Sequence, residues 1–117
     1  MIPQACSNVF NYYVGDTKTM TFKALFASSL SPLDLTNCTE IVVNLPNSDG
    51  TLTQLKYSLG QVTIASPTVL GQASAIVSAT LWPIPNVGVG QDLDVTYTIG
   101  GNPQTVKFPA ALNVFQP

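Results

Sequence analysis

Hydrophobic and polar residues alternate along much of this chain, and the alternation is clearest in residues 18–26. One side of this segment carries Met20, Phe22, Ala24 and Phe26, and the other carries Thr19, Thr21 and Lys23. Successive side chains leave a β-strand on opposite faces, so a period of two is typical of a strand with one buried face. The pattern therefore predicts a half-buried strand at 18–26.

A second alternating stretch predicts a β-hairpin near the end of the chain. Its apolar positions are Leu93, Val95, Tyr97 and Ile99, and its polar positions are Asp92, Asp94, Thr96 and Thr98. The turn-forming residues 100–103 follow, and Val106 and Phe108 return on the buried side. Residues 111–115 are predicted to form a separate closing strand.

Shorter patterns predict further strands at 9–14, 39–45, 51–58, 61–65 and 72–81. The β-branched run in 39–45 favours burial on both faces, and Lys56 favours an edge position for 51–58. Residues 72–81 fit a strand or a short helix, and the strand is favoured because no helix cap is present. The prolines in 82–90 favour an extended, irregular path.

These elements predict an all-β fold, an antiparallel β-sandwich of about seven to nine short strands. The 117 residues suit one domain at 9–117, preceded by an extended arm at 1–8. The arm is expected either to be held by a neighbouring chain or to fold back on its own domain. Residues 1–6 lack the basic and apolar segments of a signal peptide, and no segment has the length of a membrane span.

The chain carries few charges, which changes the expectation about its surroundings. Only 9% of the residues are charged, with no His and a net charge of −2, against about 25% in ordinary soluble domains. A surface this poor in charge resists association weakly. It suits a subunit covered by partners in an assembly or a secreted domain with a hydroxyl-rich exterior, and the assembly is favoured.

Catalytic chemistry finds little support in the sequence. Without His, neither a Ser/His nor a Cys/His arrangement can form. Asp92 and Asp94 lie about 7 Å apart on one strand face, and a solvated hairpin face explains them better than a weak calcium site that would need Asp16, Asp34 or Asp49. We expect Asp16 and Asp34 to bond to their own turns. No catalytic, metal or cofactor residues are predicted.

Two further classes of site are disfavoured. Four scattered lysines in a chain of net negative charge would bind nucleic acid poorly. Cys6 and Cys38 are too few for a zinc site, and buried free thiols are expected, with a disulfide left open.

With catalytic, metal and nucleic-acid sites disfavoured, the sequence points to a surface for binding other proteins. Segment 82–90 carries Trp82, Ile84, Val87 and Val89 between prolines, and it either packs under its own sandwich or anchors a partner. The predicted partner interface combines this segment with both chain ends. It consists of Met1, Ile2, Pro3, Trp82, Pro83, Ile84, Pro85, Val87 and Phe115.

Residues 15–36 carry a resemblance to a known family. Gly15-Asp16-Thr17, the alternating strand, a short loop and then Pro32-Leu33-Asp34-Leu35-Thr36 resemble the N-terminal, immunoglobulin-like domain of phage baseplate upper proteins and related small phage structural proteins. The resemblance implies an immunoglobulin-like sandwich that attaches to other virion proteins. Asn37 stands where these relatives usually have Gly, and 82–90 has no counterpart in them.

The function expected from these observations is that of a non-enzymatic bacteriophage structural protein in the virion, assembled in the host cytoplasm. A capsid decoration or cement subunit bound to the major capsid protein is favoured, and a tail, neck or baseplate connector is the alternative. The chain is a possible homo-oligomer, with no nucleic acid or membrane partner expected. A glycan- or host-binding adhesin module, with Tyr12, Tyr13 and Trp82 in one groove, is the alternative from another class, and an enzyme ranks last.

Overall fold

The computed structural model describes residues 3–5, 9–26 and 31–117 and contains two β-sheets. Its strands are β1 (Pro3–Ala5), β2 (Phe10–Tyr13), β3 (Lys18–Phe26), β4 (Cys38–Pro46), β5 (Leu52–Lys56), β6 (Val62–Ile64), β7 (Gln72–Val77), β8 (Gly88–Ile99) and β9 (Asn102–Phe115). Two short 3₁₀ turns lie at Tyr57–Leu59 and Thr68–Leu70. The all-β prediction is confirmed.

The strand order is that of an immunoglobulin-like sandwich. One sheet has the order β1-β3-β7-β6 and the other β2-β9-β8-β4-β5, so the first two strands belong to different sheets. β2 runs parallel to β9, and every other pairing between the described strands is antiparallel. The two-sheet, Greek-key arrangement is that of immunoglobulin-like domains, which the resemblance implied.

The alternating pattern of β3 places three of its apolar side chains in the core between the sheets. Met20, Phe22 and Ala24 are buried, and the ring of Phe22 meets that of Phe108 edge-on with centroids 6.0 Å apart. Burying a side chain of this size stabilises the fold by about 1.5–3 kcal/mol. The strand predicted at 18–26 is confirmed with its bounds.

Strand β4 differs from the prediction that both its faces would be buried. Ile41, Val43 and Leu45 are buried, whereas Val42 and Asn44 on the other face are only half-buried. An outer strand face of an antiparallel sandwich is solvated, and that is the position of this face. The edge position predicted for the next strand is confirmed, since β5 ends the five-stranded sheet.

The segment predicted as a strand at 72–81 is a strand only as far as Val77. The chain then turns, because the Trp82 amide donates to the Ser78 carbonyl at 2.8 Å and the Leu81 amide donates to Ser78 Oγ at 3.3 Å. This turn directs the following residues across the end of the sandwich toward β4.

The predicted closing strand at 111–115 is the continuation of β9. Strand β9 bends at Ala110, which has a φ of 51°, and the register against β8 shifts there. Asp92 Oδ1 accepts a hydrogen bond from the Ala110 amide at 3.0 Å, which satisfies a donor that the bulge removes from the ladder. The bend carries residues 112–115 onto β2.

Candidate interaction surface

Trp82, the strongest predicted partner anchor, lies inside its own domain. Its side chain is only 1% exposed, its ring stacks on Tyr12 with centroids 5.3 Å apart, and its indole N–H donates to Asn47 Oδ1 at 3.0 Å. It is therefore a core residue: of the two placements left open for segment 82–90, Trp82 packs under its own sandwich, and its inclusion in the predicted partner interface is corrected. Because Tyr12 is also buried, the aromatic groove of the adhesin alternative does not form from Tyr12, Tyr13 and Trp82.

Asn47 is the buried polar residue that holds Trp82 in place. Its Oδ1 also accepts from the Thr53 hydroxyl at 2.9 Å, and its Nδ2 donates to Thr51 Oγ1 at 3.0 Å. A buried amide with all these partners avoids the cost of an unsatisfied polar group. Asn47 continues the alternation of inward side chains that begins at Ile41, so it lies inside the sandwich although Asn is common in turns.

The rest of segment 82–90 is fixed against the end of β4. The Ser48 amide donates to the Ile84 carbonyl at 2.9 Å, and the Asn86 amide donates to the Pro46 carbonyl at 3.0 Å. Pro85 is buried between these two bonds. Pro83 and Ile84 remain exposed, so only part of the predicted segment reaches the surface.

An apolar patch forms where β2, β8 and β9 meet on the outer face of the five-stranded sheet. Tyr13 pairs with Phe115 in the parallel ladder, and their rings stack with centroids 5.0 Å apart. Gly88 pairs with Val114, which brings Val87 beside Phe115. We call Tyr13, Val87, Val89 and Phe115 the terminal patch; Tyr13 is 47% exposed and Val89 is 70% exposed.

The terminal patch unites two predicted interface residues with two that the sequence reasoning did not select. Val87 and Phe115 were predicted; Tyr13 was assigned only to the glycan groove, and Val89 only to the 82–90 segment. The signal for Tyr13 was its position in a strand whose neighbours Phe10 and Tyr12 are inward. Its partner strand is about a hundred residues away, so its contact with Phe115 needed the fold.

A row of side-chain amides supports the terminal patch. Asn113 Nδ2 donates to Asn11 Oδ1 at 2.9 Å, and Asn113 Oδ1 accepts from the Gly90 amide at 2.7 Å. The side chain of Gln91 binds Asn86 through its Oε1 and Nε2 at 2.8 and 2.9 Å. These bonds connect the 86–91 segment to itself and to β9.

The N-terminal members of the predicted interface are described only in part. Met1 and Ile2 lie outside the described residues. The backbone of Pro3 belongs to β1 and pairs with Phe26 of β3, so this part of the predicted arm joins the domain's own sheet.

The outer face of the four-stranded sheet carries a groove of about 480 Å³. It is lined by Thr19, Gly60, Gln61, Thr63, Ser74, Ile76 and Leu81. Ile76 stands 57% exposed in it, and the other strand residues of the lining are hydroxyl-bearing. No charged side chain lines this groove among the described residues.

The carboxylates of Asp34 and Asp49 bond to the turns in which they lie. Asp34 Oδ1 accepts from the amide and hydroxyl of Thr36 at 2.9 and 2.6 Å, and Asp49 Oδ1 accepts from those of Thr51 at 3.0 and 2.5 Å. In both turns the threonine hydroxyl makes the larger contribution and the threonine amide the smaller one to lowering the pKa of the carboxyl. The turn role expected for Asp34 is confirmed.

The hairpin carboxylate Asp92 and the thiol of Cys38 both have partners within the domain. Lys107 Nζ lies 3.7 Å from Asp92 Oδ2, and within the described ranges no three His, Cys, Asp or Glu residues cluster as metal ligands. Burial raises the pKa of the half-buried Cys38 thiol, which donates to the Glu40 carbonyl at 3.3 Å. A protonated thiol is a poor nucleophile. Cys6 lies outside the described residues.

Comparisons with known proteins do not assign this chain to a family. The chain matches no protein-family model, and no curated protein sequence matches it. Among solved structures, that of the RIG-5 IG1 homodimer is similar, with 10% sequence identity over 97% of this chain and 98% of that one and a TM-score of 0.46. The fold assignment comes from the strand order itself.

None of the helices in the described part of the chain is long and apolar enough to cross a membrane.

Proposed function

We propose that this chain is a non-enzymatic structural protein of a bacteriophage particle, a decoration or cement subunit on the capsid. The observation that carries the proposal is its surface, on which apolar side chains stand exposed although only 9% of the residues are charged. Isolated soluble proteins normally keep copies apart with charge. Contiguous exposed apolar residues such as the terminal patch mark sites of contact with other proteins.

The resemblance of residues 15–36 to small phage structural proteins supplies the kind of assembly. Strand β3 and the Asp34 turn, which carry that resemblance, support the sandwich from inside: Leu33 and Leu35 are buried on either side of Asp34. The terminal patch lies on the opposite sheet, where a partner can reach it. The partner proposed is the major capsid protein, and a tail, neck or baseplate position is the alternative.

The proposed mechanism is mass action. A subunit that binds the assembled lattice and not its loose components stabilises the assembled state by the free energy of its binding. The terminal patch suits this role because the side chains of Asn113 and Gln91 already bond to the backbone beside it, and a surface that is ordered before binding loses less entropy on binding.

The proposal is tested on particles purified from the native source of the chain. Mass spectrometry should find the chain in many copies per particle, and particles lacking it should break open at a lower temperature. Adding back the wild-type protein should restore the temperature at which the particles break open, and adding back the Val87→Ser variant should not. Val69→Ser, another exposed valine, is the matched control and should restore it fully.

Two results decide against the proposal. Particles that contain none of the chain would show that it is not a virion protein. Restoration by Val87→Ser equal to that by Val69→Ser would show that the terminal patch is not the contact. Cryo-electron microscopy of the particles would place the chain on the capsid or, for the alternative, in the tail.

A further inference from the structure

The turn between β4 and β5 contains the one place in the sequence where an aspartate or asparagine precedes a glycine. Asp49 and Gly50 form this pair, and both residues are exposed. The backbone amide that follows an aspartate can attack its side-chain carboxyl group, and glycine permits this best because it has no Cβ to hinder the approach. A Cβ at Gly50 would meet nothing within 4 Å, so the surroundings of this pair are open.

An earlier turn has the same hydrogen bonds around a different central residue. In both turns the aspartate Oδ1 accepts from the amide and the hydroxyl of a threonine two positions later, Thr36 after Asp34 and Thr51 in the second turn. The central residue of the first turn is Leu35, whose side chain is 1% exposed and whose amide donates to the second 3₁₀ turn at 3.0 Å. In the second turn it is the exposed Gly50. The first turn is therefore a matched comparison for the second.

Hydrogen bonds connect the Asp49 turn to the core of the domain. The Thr51 hydroxyl donates to Asp49 Oδ1 and accepts from Asn47 Nδ2 at 3.0 Å. Asn47 Oδ1 accepts from the indole N–H of Trp82 at 3.0 Å. Three consecutive hydrogen bonds thus lead from an exposed carboxylate to a buried tryptophan.

We propose that Asp49 is a modification site, at which the chain isomerises spontaneously to isoaspartate, and that the change reaches Trp82 through Thr51 and Asn47. The Gly50 nitrogen bonds to Asp49 Cγ, and the carboxyl hydroxyl leaves with the amide hydrogen as water, which gives a five-membered succinimide ring. Water then adds to the ring carbonyl that was the Asp49 main-chain carbonyl, and the C–N bond there breaks. The product has the same atoms as the original chain. The proposal does not depend on the virion function.

Thr51 restrains the first step of this reaction. The carboxyl group must be protonated for its hydroxyl to leave, whereas the two hydrogen bonds from Thr51 stabilise the ionised carboxylate. They lower the pKa of Asp49, so less of the protonated form is present at a given pH. The Gly50 amide also donates to the Asn47 carbonyl at 3.1 Å, and this bond must break before the nitrogen attacks. Removing the Thr51 hydroxyl should therefore speed the reaction.

The product changes the turn at the point where it supports the core. The backbone of isoaspartate runs through the side-chain carbons, so the turn becomes one atom longer and the free carboxylate is the former main-chain carbon of Asp49. The Thr51 hydroxyl then loses its acceptor, and the amide of Asn47 loses the fixed position of its Thr51 partner. Because Asn47 holds the Trp82 indole, the surroundings of Trp82 should change.

The first test is peptide mapping of the full chain by mass spectrometry with electron-transfer fragmentation. The folded protein is incubated at about 37 °C and pH 6 for the time in which the chain in guanidinium chloride converts half of its Asp49. Isoaspartate should appear at Asp49 and not at Asp34. Thr51→Val should raise the rate at Asp49 about threefold or more, and Thr51→Ser, which keeps the hydroxyl, should keep the wild-type rate. Thr36→Val, the same change in the first turn, should produce no isoaspartate at Asp34.

The second test follows Trp82, the single tryptophan of the chain. The isoaspartate form, separated by chromatography, should show a shifted native fluorescence emission and a lower urea midpoint than the unmodified form. Asp49→Glu, whose longer side chain cannot close the five-membered ring, should keep its emission through the same incubation. Circular dichroism of each variant establishes that it is folded before its rate is compared.

Three results overturn the proposal. Absence of isoaspartate at Asp49 from both the wild type and Thr51→Val, or equal amounts at Asp49 and Asp34, would show that this turn is not the site. Equal rates for Thr51→Val and the wild type would show that the hydroxyl does not restrain the reaction. An isoaspartate form with unchanged emission would show that the change does not reach Trp82.

Discussion

Gly71 is the glycine whose replacement the structure predicts to be most damaging. It follows the second 3₁₀ turn with a φ of +69°, and a Cβ there would lie 2.7 Å from the Leu33 carbonyl oxygen and 2.9 Å from that of Ala24. Both atoms belong to the backbone and cannot rotate away. Gly60 ends the first 3₁₀ turn with a φ of +74°, but a Cβ there would meet nothing within 4 Å. Gly60 is therefore a matched control.

The two substitutions separate backbone strain from crowding. A left-handed conformation costs an L-residue about 1–2 kcal/mol, and both Gly60→Ala and Gly71→Ala incur this cost. Forcing an extra methyl group into a packed site adds about 1–3 kcal/mol, and only Gly71→Ala incurs that. We expect a loss of unfolding free energy of about 1–2 kcal/mol for Gly60→Ala and about 2–5 kcal/mol for Gly71→Ala.

Urea unfolding followed by tryptophan fluorescence measures the difference, since Trp82 is buried in the native state. With a slope of about 1.5 kcal/mol per molar urea, the crowding corresponds to a midpoint about 0.7–2 M lower for Gly71→Ala than for Gly60→Ala. Equal midpoints for the two variants would refute the close approach of Gly71 to Leu33 and Ala24.

Four other predictions each concern a single residue. Asn47→Ala should lower the unfolding free energy by about 1–3 kcal/mol, because it leaves the buried Trp82 indole N–H without an acceptor. A loss below that of the outward-facing control Asn44→Ala would contradict this. Tyr97→Phe should raise stability by about 1 kcal/mol, since the buried Tyr97 hydroxyl has no partner, and a lower urea midpoint would show a missed bond. Ala110→Gly should raise stability by about 0.5–1 kcal/mol by relieving the φ of 51°, and destabilisation would count against the bulge. Burial raises the pKa of Glu40, but hydrogen bonds from Ser58 and Ile41 outweigh this effect and leave the pKa below 4.5. The ionised Glu40 therefore stabilises the fold fully above pH 4.5, and this stabilisation is lost as the pH falls through the lowered pKa. Glu40→Gln should reduce the loss of stability at acid pH, and an unchanged acid dependence would contradict the role given to Glu40.

The elements that the sequence predicted best are those with a local period of two. Strand β3 and the hairpin of β8 and β9 follow directly from the alternation of residues such as Phe22 and Val95, because a strand side chain must face either the core or water. The edge position of β5 followed from Lys56, because a lysine on an edge strand discourages edge-to-edge pairing with other chains. Each of these inferences uses neighbours within a few positions along the chain.

The interaction surface was predicted only in part, because its members meet through distant pairings. The local sequence around Trp82 is the same whether the side chain packs inside its own domain or against a partner. Its burial depends on Asn47, 35 residues earlier. Tyr13 and Phe115 become neighbours through the parallel pairing of β2 with β9, which no local pattern indicates.

The sequence by itself thus determined the class of fold and the inward side of its main strands. Tertiary structure alone decided which apolar residues stay outside: it buried Trp82, left Val89 exposed and opened a groove beside Ile76. The physical reason is that alternation assigns a side chain to a face of its strand, whereas exposure depends on what the rest of the chain places over that face.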